Sequence, residues 1–454
     1  MIMKDIKYDP DDLIAALATP WAESALAVIR TSGPECINKL AGVFSASDKL
    51  LIVPGNTVVY GHIVDGNTSL DEVMAAVYRA PKSYTGQESV EFFVHGSLPG
   101  IKKILELLFR SGFREASPGE FTFRAFLNQK MDLTRAEAVQ EIISAKSNQA
   151  QSLALNRLSG SIEGSINSIK SDMTDLLASV EIQLDYPEDE VEMPDVTASE
   201  TKPIEDKMNR LLSTYRAGKI YQEGVKVVLA GKTNAGKSSL FNLFLKEDRS
   251  IVSDIHGTTR DYLESWISIG GIPVRLFDTA GLRDADHPIE VEGIRRSNEI
   301  IDNAHVILYL ADAQEGITPE LTSFMTEYKD DKRCVYLWNK VDKAVVSAPE
   351  GFLPVSALTG EGFSTLEKMI KEIVFKDQYV PGNEPVIDSM RQKNLLESAL
   401  DSINKYNDAL KRGMPMDMAA VDLTDALHSL GEITGEVTSV DVLERMFSNF
   451  CVGK

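Results

Sequence analysis

Positive charge is what this sequence is short of. Its 47 Lys and Arg face 68 Asp and Glu, for a formal net charge of −21. Tight nucleic-acid binding relies on Lys and Arg neutralising phosphates, so this balance argues against a chain that grips RNA tightly alone. Local patches or a basic partner would have to supply the contact. Cysteine is scarce as well. Cys36, Cys334 and Cys451 lie far apart, which excludes a disulfide framework and a zinc-ligand spacing. No apolar run approaches the ~20 residues of a membrane span. No basic stretch followed by an apolar one opens the chain, so no secretory signal is expected and a reduced cytosol fits. The 454 residues, 43% hydrophobic and 25% charged, suit an ordinary globular protein with about two to four domains.

What is present begins with Gly231-Lys232-Thr233-Asn234-Ala235-Gly236-Lys237-Ser238. It matches the GxxxxGK[ST] phosphate loop at every fixed position, with an apolar run (225–230) before it and a helix-like stretch from Ser239 after it. That strand–loop–helix context is what the motif requires. The glycines let successive backbone N–H groups curl round a β-phosphate, and the helix start adds a positive dipole end. Lys237 would neutralise β/γ oxygens and the Ser238 hydroxyl would ligate Mg²⁺.

The base is readable too. Asn339-Lys340-Val341-Asp342 follows the apolar run 334–338, and Ser356-Ala357-Leu358 follows it to close over the base. The Asp342 carboxylate can accept from guanine N1–H and N2–H₂, a donor pair that adenine lacks. Between the two motifs, Asp278-Thr279-Ala280-Gly281 ends a strand-like run. Asp278 can reach the Mg²⁺ shell and the Gly281 N–H can sense a γ-phosphate. Upstream, Gly257-Thr258-Thr259 supplies the hydroxyl that a first switch loop needs. Four elements in this order imply a Ras-like GTPase domain.

The flanks differ. Residues 1–128 mix strand-like runs (26–30, 58–64, 72–79, 90–94) with a helical segment at 101–108, which reads as a compact α+β domain. From Thr134 the period changes. Thr134 and Glu137 form a capping-box pattern, and Leu158, Ile162, Ile166, Ile169, Met173, Leu176, Val180 and Leu184 step by three or four residues, predicting one long amphipathic helix. Helical sequence lies on both sides of the GTPase segment. The expected architecture is therefore multidomain α/β: the α+β domain at 1–128, a discontinuous helical domain at 129–221 and 377–454, and a P-loop GTPase domain inserted at 222–376.

Specific runs carry a resemblance. They are Ser83-Tyr84-Thr85-Gly86, Pro118-Gly119-Glu120-Phe121-Thr122, Arg124-Ala125-Phe126-Leu127-Asn128, Lys130-Met131-Asp132-Leu133, Glu432-Ile433-Thr434-Gly435-Glu436 and Cys451-Val452-Gly453-Lys454. With them the chain resembles the bacterial tRNA-modification GTPase family MnmE (TrmE) over nearly its whole length. The resemblance implies a homodimer formed through an N-terminal domain that binds a 5-formyltetrahydrofolate-type folate. It also implies an FAD-containing partner, MnmG, in a heterotetramer-type complex. The pair would add an aminomethyl or carboxymethylaminomethyl group to the wobble uridine of tRNA. Folate contacts carry over to Arg30, Glu91, Lys130 and Lys454. The chain departs from the family pattern at Trp21-Ala22-Glu23-Ser24, where a glycine-rich stretch is usual, and at Gln87 and Ser97.

The position after Asp-x-x-Gly, where a Ras-like enzyme carries its water-orienting Gln, is Leu282 here. The resemblance fills this gap with K⁺, held by Asn234, Ser253, Ile255 and Thr258, and with Glu290 to orient water. Thr259 joins Ser238 on Mg²⁺, and GTP contacts extend over Ser253, Asp254, Ile255, His256, Gly257, Thr258 and Thr259. Cys451 reads either as a buried structural thiol or, through the resemblance, as a catalytic one, at the folate site or attacking the uracil ring. A different class of reading is an Era-like ribosome-assembly switch, which would usually append a basic RNA-binding module. The segment after the GTPase motifs is helical in pattern and not notably basic.

Overall fold

The computed structural model describes residues 10–185, 199–247, 264–278, 300–343, 347–376 and 384–454. The chain divides into two compact units. One comprises Met1–Gln140 with His428–Lys454, the other Glu141–Leu427.

In chain order the first elements are β1 (Ile14–Leu17), β2 (Ser24–Ser32), α1 (Cys36–Ala41), α2 (Ser47–Ile52), β3 (Thr57–Asp65), β4 (Thr68–Tyr78), β5 (Ser89–Gly96), α3 (Leu98–Arg110), β6 (Arg114–Glu115) and α4 (Glu120–Leu127). Helices α5 (Leu133–Ser144), α6 (Asn148–Leu158), α7 (Ser161–Asp185) and α8 (Lys202–Glu223) follow. Next come β7 (Val225–Gly231), α9 (Lys237–Glu247), β8 (Glu264–Ile269), β9 (Ile272–Asp278), β10 (Val306–Asp312), α10 (Pro319–Glu327), β11 (Cys334–Asn339), β12 (Phe352–Val355) and α11 (Phe363–Phe375). The chain closes with α12 (Met390–Lys411), α13 (Met416–Thr434) and α14 (Val440–Phe447).

In the first unit the strands form a six-stranded sheet in the order β3-β4-β5-β2-β1-β6, antiparallel except for the β1/β6 pair. Alternation along the strands puts Ala27, Ile29, Phe92 and Val94 on one face, where they pack with Ile101, Ile104 and Leu108 of α3. The opposite face buries Ile14, Ala16 and Phe121.

In the second unit the order is β12-β11-β10-β7-β9-β8, parallel except for the β8/β9 hairpin. Val227, Leu229, Leu308 and Leu337 face one core, and Val228, Ala230, Ile307 and Trp338 face another. Covering on both sides is what parallel strands require. The first of these cores also contains Ala150 and Leu153 of α6 and Ala217 and Tyr221 of α8. The GTPase sheet and the helices before it therefore share apolar packing.

Two local readings are corrected. Asp132, not Thr134, caps α5: its Oδ2 accepts the Thr134 N–H at 3.2 Å and its Oδ1 accepts the Arg135 N–H at 3.1 Å. The carboxylate one residue before the helix reaches the orphan donors first. The long stripe is also two helices. Gly160, at φ 96°, breaks it between α6 and α7, and the buried stripe runs from Ile162 to Val180 while Leu184 is exposed. Where the chain returns from the GTPase segment, α12 meets α8. Asn407 Nδ2 donates to Thr201 Oγ1 and Glu205 Oε1, both at 2.9 Å, and the Ile387 N–H donates to Thr214 Oγ1 at 3.1 Å.

Candidate functional site

Gly231, Asp278, Asp312 and Asn339 end β7, β9, β10 and β11. They therefore share the carboxyl edge of the parallel sheet, where such folds bind ligands. The phosphate loop leaves β7 through Gly231 at φ 133° and enters α9 through Gly236 at φ 96°. Lys237 is buried, and its ammonium donates to the carbonyls of Gly231 and Lys232, both at 2.8 Å. The side chain is thus folded inside the loop that it would share with a phosphate. Ser238 Oγ lies 3.4 Å from Asp278 Oδ2. These two hard oxygen donors suit Mg²⁺.

The base-reading motif is clasped to the phosphate loop. Asn339, 1% exposed, donates through Nδ2 to the Ala235 carbonyl at 2.8 Å and accepts the Ala357 N–H at 3.0 Å. Lys340 donates to the Asn234 carbonyl at 2.8 Å and pairs with Asp312 at 2.6 Å. Ser356 Oγ donates to Asp342 Oδ1 at 2.6 Å and accepts the Thr359 N–H at 3.1 Å, so it fixes the carboxylate that would read the base. Leu358 is 75% exposed at the rim. Asn234, Ala235, Gly236, Lys237, Ser238, Ser239, Asp278, Asn339, Lys340, Asp342, Ser356, Ala357 and Leu358 lie in these four segments. Ser253, Asp254, Ile255, His256, Gly257, Thr258, Thr259, Thr279, Ala280, Gly281 and Glu290 lie outside the described residues.

A second constellation sits in the first unit. Arg30 and Glu91 face each other across β2 and β5, with Arg30 Nε 2.7 Å from Glu91 Oε1. Arg30 Nη1 donates to the Gly453 carbonyl at 2.9 Å, and the guanidinium lies 5.5 Å from the Tyr84 ring centre and 5.6 Å from that of Phe121. The start of α4 holds the rest of the tail. The Gly119 N–H donates to the Cys451 carbonyl at 3.3 Å and the Phe121 N–H to Lys454 O at 3.2 Å. Gly453 adopts φ 91°, and a Cβ there would stand 2.7 Å from the Leu17 carbonyl oxygen, so only glycine fits. Burial, with Arg30 nearby, lowers the pKa of the Lys454 ammonium. The Cys451 side chain is exposed, which removes the buried-thiol reading. Lys130 instead donates to the Pro81 carbonyl at 2.9 Å, in the loop that carries Tyr84.

Sequence reasoning missed what holds this region up. Glu120, fully buried, accepts from Arg114 at 2.6 and 2.8 Å, from Arg124 at 2.8 and 3.2 Å and from the Ser117 N–H at 2.9 Å. Burial alone would raise the Glu120 carboxyl; the Arg114 hydrogen bonds and the Arg124 charge overcome it and lower the pKa. Arg124 Nη1 also reaches the Asp12 carbonyl at 2.7 Å and Gln87 Oε1 at 3.0 Å. The four-residue spacing of Glu120 and Arg124 within a helix was the available signal.

Known proteins resemble the chain over nearly its whole length. Residues 13–130 match the family model described as GTP-binding protein TrmE N-terminus, and residues 133–451 match the MnmE helical domain. A tRNA modification GTPase MnmE from Borreliella afzelii (strain PKo) is 44% identical over 98% of this chain and 99% of its own length. Proteins of the same name from Treponema denticola and Carboxydothermus hydrogenoformans are 42% and 40% identical, over 99% and 98% of this chain and 99% and 100% of their own lengths. A phosphate loop clasped to a guanine-reading motif, in a chain matched almost end to end by these relatives, is that of a GTP-hydrolysing enzyme, and this chain belongs to the tRNA modification GTPase family MnmE.

Proposed function

We propose that the chain couples GTP hydrolysis to addition of an aminomethyl or carboxymethylaminomethyl group at the wobble uridine of tRNA. It would act as a homodimer formed through residues 1–128, with the FAD-containing partner MnmG. The observation that carries this reading is the seating of the Cys451–Lys454 tail on Arg30 and the start of α4.

In hydrolysis, Lys237 would leave its loop carbonyls for the β/γ oxygens, and Asp342, held by Ser356, would read the guanine edge. Ser238 and Thr259 would hold Mg²⁺, which supplies positive charge beside the phosphates. Leu282 can neither orient water nor supply charge, and Glu290 takes the first task. Asn234, Ser253, Ile255 and Thr258 would hold K⁺. Asn234 fits this role through its side-chain oxygen, because its backbone carbonyl is already taken by Lys340.

In modification, Glu91 can accept from the amidine-like edge of a pterin, while Arg30, Lys130 and Lys454 suit a glutamate tail. Folate bound there supplies the one-carbon unit. The exposed Cys451 thiol has access to a uracil ring as a nucleophile, or stands beside the folate.

Turnover in K⁺ and Na⁺ at equal ionic strength tests the hydrolytic half, with faster turnover in K⁺ expected and lost in Asn234→Ala. Equal rates in both salts would overturn the K⁺ assignment. Reconstituted modification of unmodified tRNA with MnmG tests the other half, and product formed without GTP or folate would overturn the coupling.

A further inference from the structure

The turn after β10 touches the phosphate loop by two routes. Asp312 ends β10 in register with Asn339. Its Oδ1 accepts the Gln314 N–H at 2.9 Å, and its carbonyl accepts the N–H groups of Glu315 and Gly316 at 3.1 and 3.0 Å, so the residue builds the turn. Its Oδ2 takes the Lys340 ammonium at 2.6 Å, with the two side chains 10% and 29% exposed. The same ammonium donates to the Asn234 carbonyl at 2.8 Å. Lys340 and Asn234 stand at φ 68° and 64°; asparagine visits this left-handed conformation readily, but a lysine holds it only when its surroundings fix it. The second route, Glu315 to Lys232 at 3.0 Å, joins two half-exposed side chains and contributes little.

We propose that Asp312 is a positioning residue for nucleotide binding. Its carboxylate anchors the Lys340 ammonium on the Asn234 carbonyl, so the base-reading and phosphate loops are held in one register before the nucleotide arrives. An amide in its place could still accept from Gln314 N–H, but it offers no charge to Lys340. The ammonium would then be drawn to water, releasing Asn234. Nothing in this arrangement touches the γ-phosphate, so GTP and GDP should be affected alike.

The inference rests on reading this edge as the guanine-nucleotide site, and the test separates the two. Fluorescent mant-GDP and mant-GTP are titrated into the full-length wild type, Asp312→Asn and Asp312→Glu, with melting of each nucleotide-free protein and steady-state hydrolysis alongside. Asp312→Asn should weaken both nucleotides and raise KM about 10-fold, the effect of a charge-assisted hydrogen bond partly open to water. Any fall in melting temperature should be too small to account for the affinity loss, and Asp312→Glu should restore most of the affinity. Wild-type affinity in Asp312→Asn would overturn the proposal. So would an affinity loss that tracks a lower melting temperature and is not rescued by Glu. Failure of the wild type to bind mant-GDP would instead overturn the site itself.

Discussion

Replacing Gly236 with Ala should disconnect the phosphate loop from the base-reading motif. A Cβ on Gly236 would fall inside 3.0 Å of Asn339 Nδ2, and the residue sits at φ +96°. Two costs follow. The left-handed backbone is strained for alanine by roughly 1–3 kcal/mol. The Asn339 amide must also move, although it is 1% exposed and bridges the Ala235 carbonyl at 2.8 Å to the Ala357 N–H at 3.0 Å. A buried backbone group left without its partner costs about 1–3 kcal/mol, so with partial relaxation the whole change should destabilise the unit by about 3–5 kcal/mol. Gly360→Ala is the control. It has a similar φ of +83°, but its Cβ would meet open space, so only the strain remains. Urea unfolding of both variants beside the wild type reads the stability, and nucleotide titration reads the site. A Gly236→Ala variant that costs no more than Gly360→Ala, or that binds nucleotide as the wild type does, would refute the clash.

Asp342→Asn should move preference from GTP to xanthosine triphosphate, because the amide offers a donor where xanthine carries an oxygen; titration with both nucleotides checks this, and retained GTP affinity would show that Asp342 does not read the base. Glu120→Gln should cost about 3 kcal/mol at pH 7 by leaving the buried Arg124 and the partly buried Arg114 beside a neutral amide. Because the folded Glu120 pKa lies below 4.5, its stabilisation is present above that value and disappears as pH falls through the folded pKa. Acid titration of stability should therefore be shallower in Glu120→Gln, and an equally steep curve would contradict the clamp. Cys451→Ser should abolish tRNA modification in the reconstituted reaction while melting and GTP turnover stay near wild type, since the side chain is exposed; normal product would remove the thiol from the chemistry.

Much of the nucleotide site was legible because its residues come in contiguous runs with fixed spacing. The phosphate loop needs a strand before it and a helix after it, and β7 and α9 lie there. What joins the runs was not legible. Asn339 to Ala235, Lys340 to Asn234 and Lys340 to Asp312 are contacts that only the sheet order β11-β10-β7 creates. The tail posed a harder problem. No spacing rule places Gly453 against Arg30, more than four hundred residues away in the chain; the family resemblance pointed there, and the α4 start with its glycine at φ 69° explains how the tail is held. The helix errors were local competitions. Asp132 outcompeted Thr134 as a cap, and one glycine at φ 96° cut Leu158 off from a stripe whose apolar period ran straight through it.

On the proposed function, one chain hydrolyses GTP in order to modify tRNA, and the tail at Arg30 would take part in the chemistry. The most direct measurement is nucleoside analysis of bulk tRNA from a strain lacking the gene, complemented with wild type, Asp342→Asn or Cys451→Ser. Unmodified wobble uridines are expected in the deletion strain, restored by the wild type and by neither variant. Unchanged wobble uridines in the deletion strain, or full restoration by both variants, would contradict the proposed function.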